Sequence, residues 1–309
     1  MSTLEDAAAA VRESGGELRA GGTDVMTRAT RPLVDLPSVP DLRGTAWRPD
    51  GSARIGALTT IADLLADDRL TGAYPALAAT AAAVATPQIR NVATVGGNLL
   101  QRNRCWYLRN PAFACHQTGG DACPAREGAH LYSAAIDLGP CIAPHPSSLA
   151  VALLAYGATA EVHGRSPLAI ADLYGDGGDP TRDHLLERGE ILQTIGMPAP
   201  VPAERAAYRR ATTREAADWP LVEAAVRLVL DGGTITAAAV AVGGVARTPL
   251  LLPEVAGALL GGPANARTLG AAADLAASRD RPLPQTAYKL DLLRATLVDT
   301  LTAAASAPS

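Results

Sequence analysis

Aromatic residues are scarce in this chain: phenylalanine occurs once, tryptophan three times, and all rings together make up 4%. That excludes a core built on ring packing. The 48% hydrophobic content, much of it alanine, predicts thin, helix-prone packing surfaces instead. Long apolar runs are missing too. No stretch approaches the roughly 18 uninterrupted apolar residues of a membrane-spanning helix. Basic residues are not in excess: 27 Lys and Arg stand against 31 Asp and Glu, which weighs against a general nucleic-acid binder. The opening M-S-T-L-E-D has no basic segment leading into an apolar one, so no secretory signal is expected. The cytoplasm is the default compartment; export as passenger on a signal-bearing partner is the alternative. Neither G-x-G-x-x-G nor a Walker motif occurs, which disfavours a dinucleotide fold or a P-loop of those types.

What is present reads as mixed α and β. The 309 residues allow one large domain or two to three smaller ones. A helix is expected over 3–13, capped by Thr3, with Leu4, Ala7, Ala8 and Val11 on one face and Gly15-Gly16 ending it. Extended segments follow at Glu17–Ala20, Leu33–Leu36 and Ala53–Ala57, and helices at about 60–66, 75–85 and 147–156. Residues 158–162 and 190–197 read as strands, and 173–190 as an irregular connector. Two β-compatible runs, 221–230 and 234–242, flank Asp231-Gly232-Gly233 as in a hairpin. Helices at about 252–260, 265–278 and 286–304 close the chain, the last with Leu290, Leu292, Leu293, Leu297 and Leu301 on its apolar face. Without steady βαβ alternation, the fold class is α+β.

Two glycine segments stand out. R-A-G-G-T-D (Arg19–Asp24) follows a predicted strand, and the N–H groups of Gly22, Thr23 and Asp24 suit an anion such as phosphate. T-V-G-G-N (Thr94–Asn98) reads as a second such loop. A lone G-G is usually only a turn. Two of them, the second followed at once by a cysteine cluster, point to a diphosphate gripped from both sides.

All four cysteines, Cys105, Cys115, Cys123 and Cys141, fall in one 37-residue window. Their spacings contain no close C-x2-C pair, which disfavours structural zinc. Four thiolates on long loops suit a 4Fe–4S cluster; two disulfides or buried thiols remain the alternatives. Arg102, Arg104, Arg109 and Arg126 would lend such a cluster positive charge. Of the nearby His116, His130 and His145, packing or supporting roles are expected.

R-A-G-G-T-D-V, Q-I-R-N-V-A-T-V-G-G-N-L-L, H-P-S-S-L-A-V-A-L, E-I-L-Q-T-I, Y-R-R-A-T-T-R and V-G-G-V-A, in this order over nearly the whole chain, resemble the FAD-binding medium subunit of molybdenum hydroxylases. This is the xanthine dehydrogenase, carbon monoxide dehydrogenase and aldehyde oxidoreductase group. The cysteine insertion is similar to that of bacterial periplasmic-type aldehyde oxidoreductases whose flavin subunit carries an extra 4Fe–4S cluster. The resemblance implies a two-subdomain FAD-binding domain of the PCMH type over 1–198, divided at about 52/53, with the insertion at 101–145. A smaller α+β C-terminal domain follows over 199–309. It implies FAD on Ala20, Gly21, Gly22, Thr23 and Asp24, on Thr94, Gly96, Gly97 and Asn98, and near Ile191. It also implies cluster ligands at Cys105, Cys115, Cys123 and Cys141. The chain departs from the family at Ser147-Ser148-Leu149, where S-D-L is common.

The implied function is electron transfer. Hydroxylation would occur at a molybdopterin cofactor on a large subunit. Electrons would cross 2Fe–2S clusters on a small subunit to FAD here, then reach an external acceptor. No catalytic base is assigned on this chain. A self-contained flavin oxidase and a zinc- or disulfide-stapled scaffold are the competing readings.

Overall fold

The run S-S-L-A-V-A-L-L-A has no polar face to offer water, and it becomes the centre of the molecule. The computed structural model describes residues 3–28, 30–36, 39, 42–214, 218–278 and 282–307. In it, every residue of the Ser148–Ala155 helix is buried. A helix apolar on all sides belongs inside a core. Ser147 caps it, its Oγ accepting from the Ala150 amide at 3.1 Å.

Three sheets surround this helix and the cleft described below. β1 (Glu17–Arg19) and β2 (Leu33–Asp35) pair in parallel. β3 (Thr45–Trp47), β4 (Ala53–Gly56), β5 (Thr159–Val162), β6 (Leu168–Ala169) and β7 (Leu192–Met197) form an antiparallel sheet in the order β3-β4-β7-β5-β6. β8 (Glu204–Thr212), β9 (Pro220–Asp231), β10 (Thr234–Gly243) and β11 (Leu250–Leu251) form an antiparallel meander. The architecture is α+β, with helices against antiparallel sheets. The central helix touches the meander directly. A Cβ at Gly243 would lie 2.5 Å from Val151 Cγ2, so only glycine permits this approach.

The first helix spans Leu4–Ser14 and has the expected cap in full. Thr3 Oγ1 accepts from the Asp6 amide at 3.0 Å, and Asp6 Oδ2 accepts from the Thr3 amide at 3.2 Å. Gly15 ends it at φ 63. Its buried Ala7, Ala8 and Val11 pack with Val34, Leu36, Leu58 and Ile191 in a small separate cluster. The Asp231-Gly232-Gly233 turn joins β9 and β10 as read, with both glycines at positive φ.

Some expectations fail for identifiable reasons. T-V-G-G-N is not a loop: Val95–Leu99 is a short helix, capped by Thr94 Oγ1 accepting from the Gly97 amide at 3.1 Å. The strand at Glu204–Thr212 has no counterpart among the expected elements: it shows no alternation because both its faces are covered. Ala206 and Tyr208 face one core, Ala207 the other. In the Tyr288–Ser306 helix, Leu290 and Leu292 are only half-buried, while Thr296 and Thr300 are inside. Their hydroxyls donate back to the Leu292 and Thr296 carbonyls at 2.7 and 2.6 Å, which hides them from a pattern based on apolarity.

The few aromatics also behave differently from a simple reading of composition. Tyr74, Tyr156, Tyr174 and Tyr208 are all buried, and each phenol oxygen has a partner. Tyr74 donates to the Pro198 carbonyl at 2.7 Å, Tyr174 to the Leu99 carbonyl at 3.1 Å and Tyr208 to Glu223 at 2.6 Å; Tyr156 accepts from the Ala76 amide at 3.1 Å. Each ties separate segments together, so a small number of rings fixes an alanine-rich core.

On the far face of the meander, Leu293, Leu297 and Leu301 of the last helix are fully buried. Leu297→Ala removes this filling and should cost about 2–5 kcal/mol. Urea unfolding should show a lower midpoint with the slope unchanged; an unmoved midpoint contradicts the packing described here.

Candidate cofactor cleft and cysteine cavity

The turn after β1 is forced by glycine. A Cβ at Gly21 would lie 1.9 Å from the Val92 carbonyl oxygen, and Gly22 sits at φ 75. The two G-G segments are thereby brought against each other. They form one wall each of a cavity of about 360 Å³, lined by Ala20, Gly21, Gly22, Thr23 and Asp24 from the first and Thr94, Gly96 and Gly97 from the second. Ile191 lines it from beside β7. The N–H groups of Gly22, Thr23 and Asp24 donate to no described residue. Unpartnered amides on a cleft wall are what an anion requires.

Two of the expected residues behave differently from the rest. Asn98 does not line the cavity; its Oδ1 accepts from Ser147 Oγ at 2.7 Å. The Asp24 side chain is already committed. It accepts from the Arg102 amide at 3.0 Å, Arg109 at 2.9 Å and Arg28 at 3.1 Å, and it pairs with Arg104 at 2.9 Å. Burial pushes its carboxyl up, but these four partners outweigh burial and hold it below the usual range. Only its amide is left for a ligand.

A third wall was not legible in the sequence. The connector read as irregular supplies Arg182, Asp183, His184 and Glu187 to Glu190. Asp183 is almost wholly buried and joins three parts of the chain. It accepts from Arg102 Nε at 2.6 Å, Asn103 Nδ2 at 2.9 Å, Gln117 Nε2 at 3.1 Å and Arg247 Nη1 at 2.5 Å. Burial alone would raise its carboxyl; Arg247 and Arg102 reverse this and hold it far below the usual range. The only sequence signal was a charged triplet, R-D-H, inside a glycine-rich connector.

The cysteines converge. Cys105, Cys115, Cys123 and Cys141 all line one cavity, together with Asn103, His116 and Gln117. All four are free thiols. Among the described residues, no three His, Cys, Asp or Glu side chains are grouped to hold a single metal ion. The cavity they share is about 20 Å³, room for about one water. Burial pushes the Cys105 and Cys141 thiols up, and for Cys141 the Arg247 cation pulls the other way.

The arginines of this segment each meet a carboxylate. Arg102 is spent on Asp183, Arg104 and Arg109 on Asp24, and Arg126 on Asp137 at 2.8 Å. The other histidines differ. His130 exchanges bonds with the Gln285 segment at 2.9 and 3.3 Å. His145 is buried against Tyr174 with neither ring nitrogen bonded.

Ser148, the position of the departure, meets a buried carboxyl. Its hydroxyl bonds Glu223, a fully buried carboxyl whose pKa burial raises. An aspartate at 148 would set a second carboxylate against it.

Comparison with known proteins agrees with this geometry. Residues 1–200 match the family described as FAD binding domain in molybdopterin dehydrogenase, and 206–305 match the CO dehydrogenase flavoprotein C-terminal domain. The chain belongs to the FAD-binding subunits of the molybdenum hydroxylases. This flavin subunit is 32% identical to the protein named Aldehyde oxidoreductase FAD-binding subunit PaoB of Escherichia coli (strain K12), over 96% of this chain and 94% of that one. It is 29% identical to the carbon monoxide dehydrogenase medium chain of Afipia carboxidovorans, over 91% and 85%. A solved structure of reconstituted CO dehydrogenase from Oligotropha carboxidovorans superposes with a TM-score of 0.76 at 25% identity, covering 99% of this chain and 96% of that chain.

The buried histidines give the flavin subunit a pH signature. Burial lowers His145 from 6.5 to about 3 and His184 to about 4. Below pH 6.5 the unfolded chain takes up protons that the fold refuses. Stability is therefore present near neutrality and falls as pH drops, until each ring titrates within the fold near pH 4 and pH 3. Each histidine should contribute about 1.4 kcal/mol per pH unit to the loss. Urea midpoints measured between pH 7 and 4 should decline steadily; a flat profile contradicts the assignment.

Proposed function

We propose that this subunit carries both FAD and a 4Fe–4S cluster and passes electrons onward within a molybdenum-dependent aldehyde oxidoreductase. The observation that carries the reading is the cleft itself. Two glycine segments some seventy residues apart line one cavity, the first with amides that donate to no described residue, and four thiols converge close by. The amides of Gly22, Thr23 and Asp24 would hold the diphosphate, with Thr94, Gly96 and Gly97 opposite and Ile191 toward the flavin. The donor set at the second cavity suits a cluster better than zinc. Four thiols on long loops without a close C-x2-C pair are the pattern of a cluster rather than of structural zinc.

When bound, FAD supplies storage of two electrons with exchange one at a time, and the cluster supplies one-electron transfer. The chain's own residues bind and balance charge. Arg28, Arg104 and Arg109 neutralise Asp24, so no bare carboxylate faces the diphosphate. Burial raises the Cys141 thiol, and the Arg247 cation beside it acts the other way, toward the thiolate that a metal needs.

The large molybdopterin subunit and the small 2Fe–2S subunit are the partners proposed for the assembly, with an aldehyde as substrate of the large one. The relative at 32% identity, named for aldehyde oxidation, supports that class.

Anaerobic purification tests the reading. The expected product has the visible absorbance of oxidised flavin, with about four irons and four sulfides per chain. Cys141→Ala should lose iron and keep flavin. Gly21→Ala, whose methyl would strike Val92, should lose flavin. Zinc without flavin rejects the proposal.

A further inference from the structure

We propose that a second pocket, beside the cysteine cavity, binds a planar quinone-class aromatic as the external electron acceptor. The pocket measures about 450 Å³, within the range of small-molecule sites. Trp106, Tyr132 and Trp219 line it, and all three rings are substantially exposed. Trp106 and Tyr132 meet edge to face at 5.5 Å, and the Arg104 guanidinium lies over Trp219 at 4.6 Å. Such walls select a flat ring.

His145 selects what the ring carries. It lines this pocket at 4% exposure with both ring nitrogens unbonded. A buried imidazole without a partner is costly unless a ligand completes it. Burial keeps it neutral, so one nitrogen donates and the other accepts. A quinone carbonyl matches the donor.

Position gives the redox meaning. Cys105 lines both this pocket and the cavity shared by the four thiols. Reduction of the quinone to hydroquinone takes two electrons, supplied by the reduced flavin, and two protons from solvent. This role rests on the flavin and cluster reading; binding alone does not.

The test is calorimetric titration of the intact oxidised complex with 2,3-dimethyl-1,4-naphthoquinone, which is fully substituted on its quinone ring and does not add thiols there. One saturable site per flavin subunit is expected. His145→Leu and Trp219→Ala should each weaken it about tenfold, with flavin and iron unchanged. Trp219 is half-exposed, so its variant keeps the test decisive if His145→Leu does not accumulate. No saturable binding, or affinity unmoved by the variants that fold, overturns the proposal. Binding seen only after flavin is stripped also overturns it, because the pocket is then the flavin ring's own seat. Failure of the cofactor reading shows separately, as missing flavin or iron in the same preparation.

Discussion

The buried Asp183 carboxylate is the constraint on which the rest depends. From the connector, it gathers Arg102, Asn103 and Gln117 of the cysteine segment and Arg247 of the C-terminal meander. A carboxylate taken out of water survives only if its oxygens are satisfied and its charge balanced. Here both conditions are met only when three distant segments arrive together. Removing one partner of such a pair costs about 3–5 kcal/mol. The same contacts set the cysteine segment beside the glycine cleft, so cofactor cleft and thiol cavity are registered by one buried charge.

A second charge knot repeats the arrangement at the surface of the cleft. Asp24 lies in the first glycine turn, yet three of its four partners, Arg102, Arg104 and Arg109, come from the cysteine segment. The cysteine segment is thus a structural element of the cleft wall. It is also tied to the C-terminal half: the Tyr288 hydroxyl and Lys289 ammonium donate to the Leu131 and Tyr132 carbonyls at 2.9 and 3.2 Å. Lys289 is itself buried, which lowers its pKa to about 7. Ala135 and Ile136 bond the Val245 carbonyl as well. Anything held by the four thiols is therefore held relative to both halves of the chain.

The sequence made legible what depends on local chemistry. The Thr3 cap, the Asp231-Gly232-Gly233 turn and the all-apolar helix at 148–155 follow from residue type and spacing alone. So did the first glycine turn, because a position that no Cβ can occupy, such as Gly21, forces glycine into the sequence; the second segment, read as a loop, is a capped helix. What stayed hidden depends on partners far along the chain. Nothing near Asp183 predicts Arg247, sixty-four residues away. The β8 strand hides its period because two cores claim its two faces, and Thr296 and Thr300 hide theirs by bonding their own helix. The carboxylate partners of the arginines stayed hidden for the same reason: charge near a cysteine in sequence says nothing of the carboxylate it meets in space.

The scarcity of aromatics bears on function once their places are known. Four of seven tyrosines go inside, each anchoring a phenol oxygen, and Trp47 stacks on Tyr74 with Arg69 over its face. The other two tryptophans, Trp106 and Trp219, stand exposed on the same pocket. Exposed rings forgo the free energy that burial would give them. In a chain that spends so few rings, two of three indoles facing one cavity, over a buried histidine with nothing to bond, describe a surface shaped for a ligand.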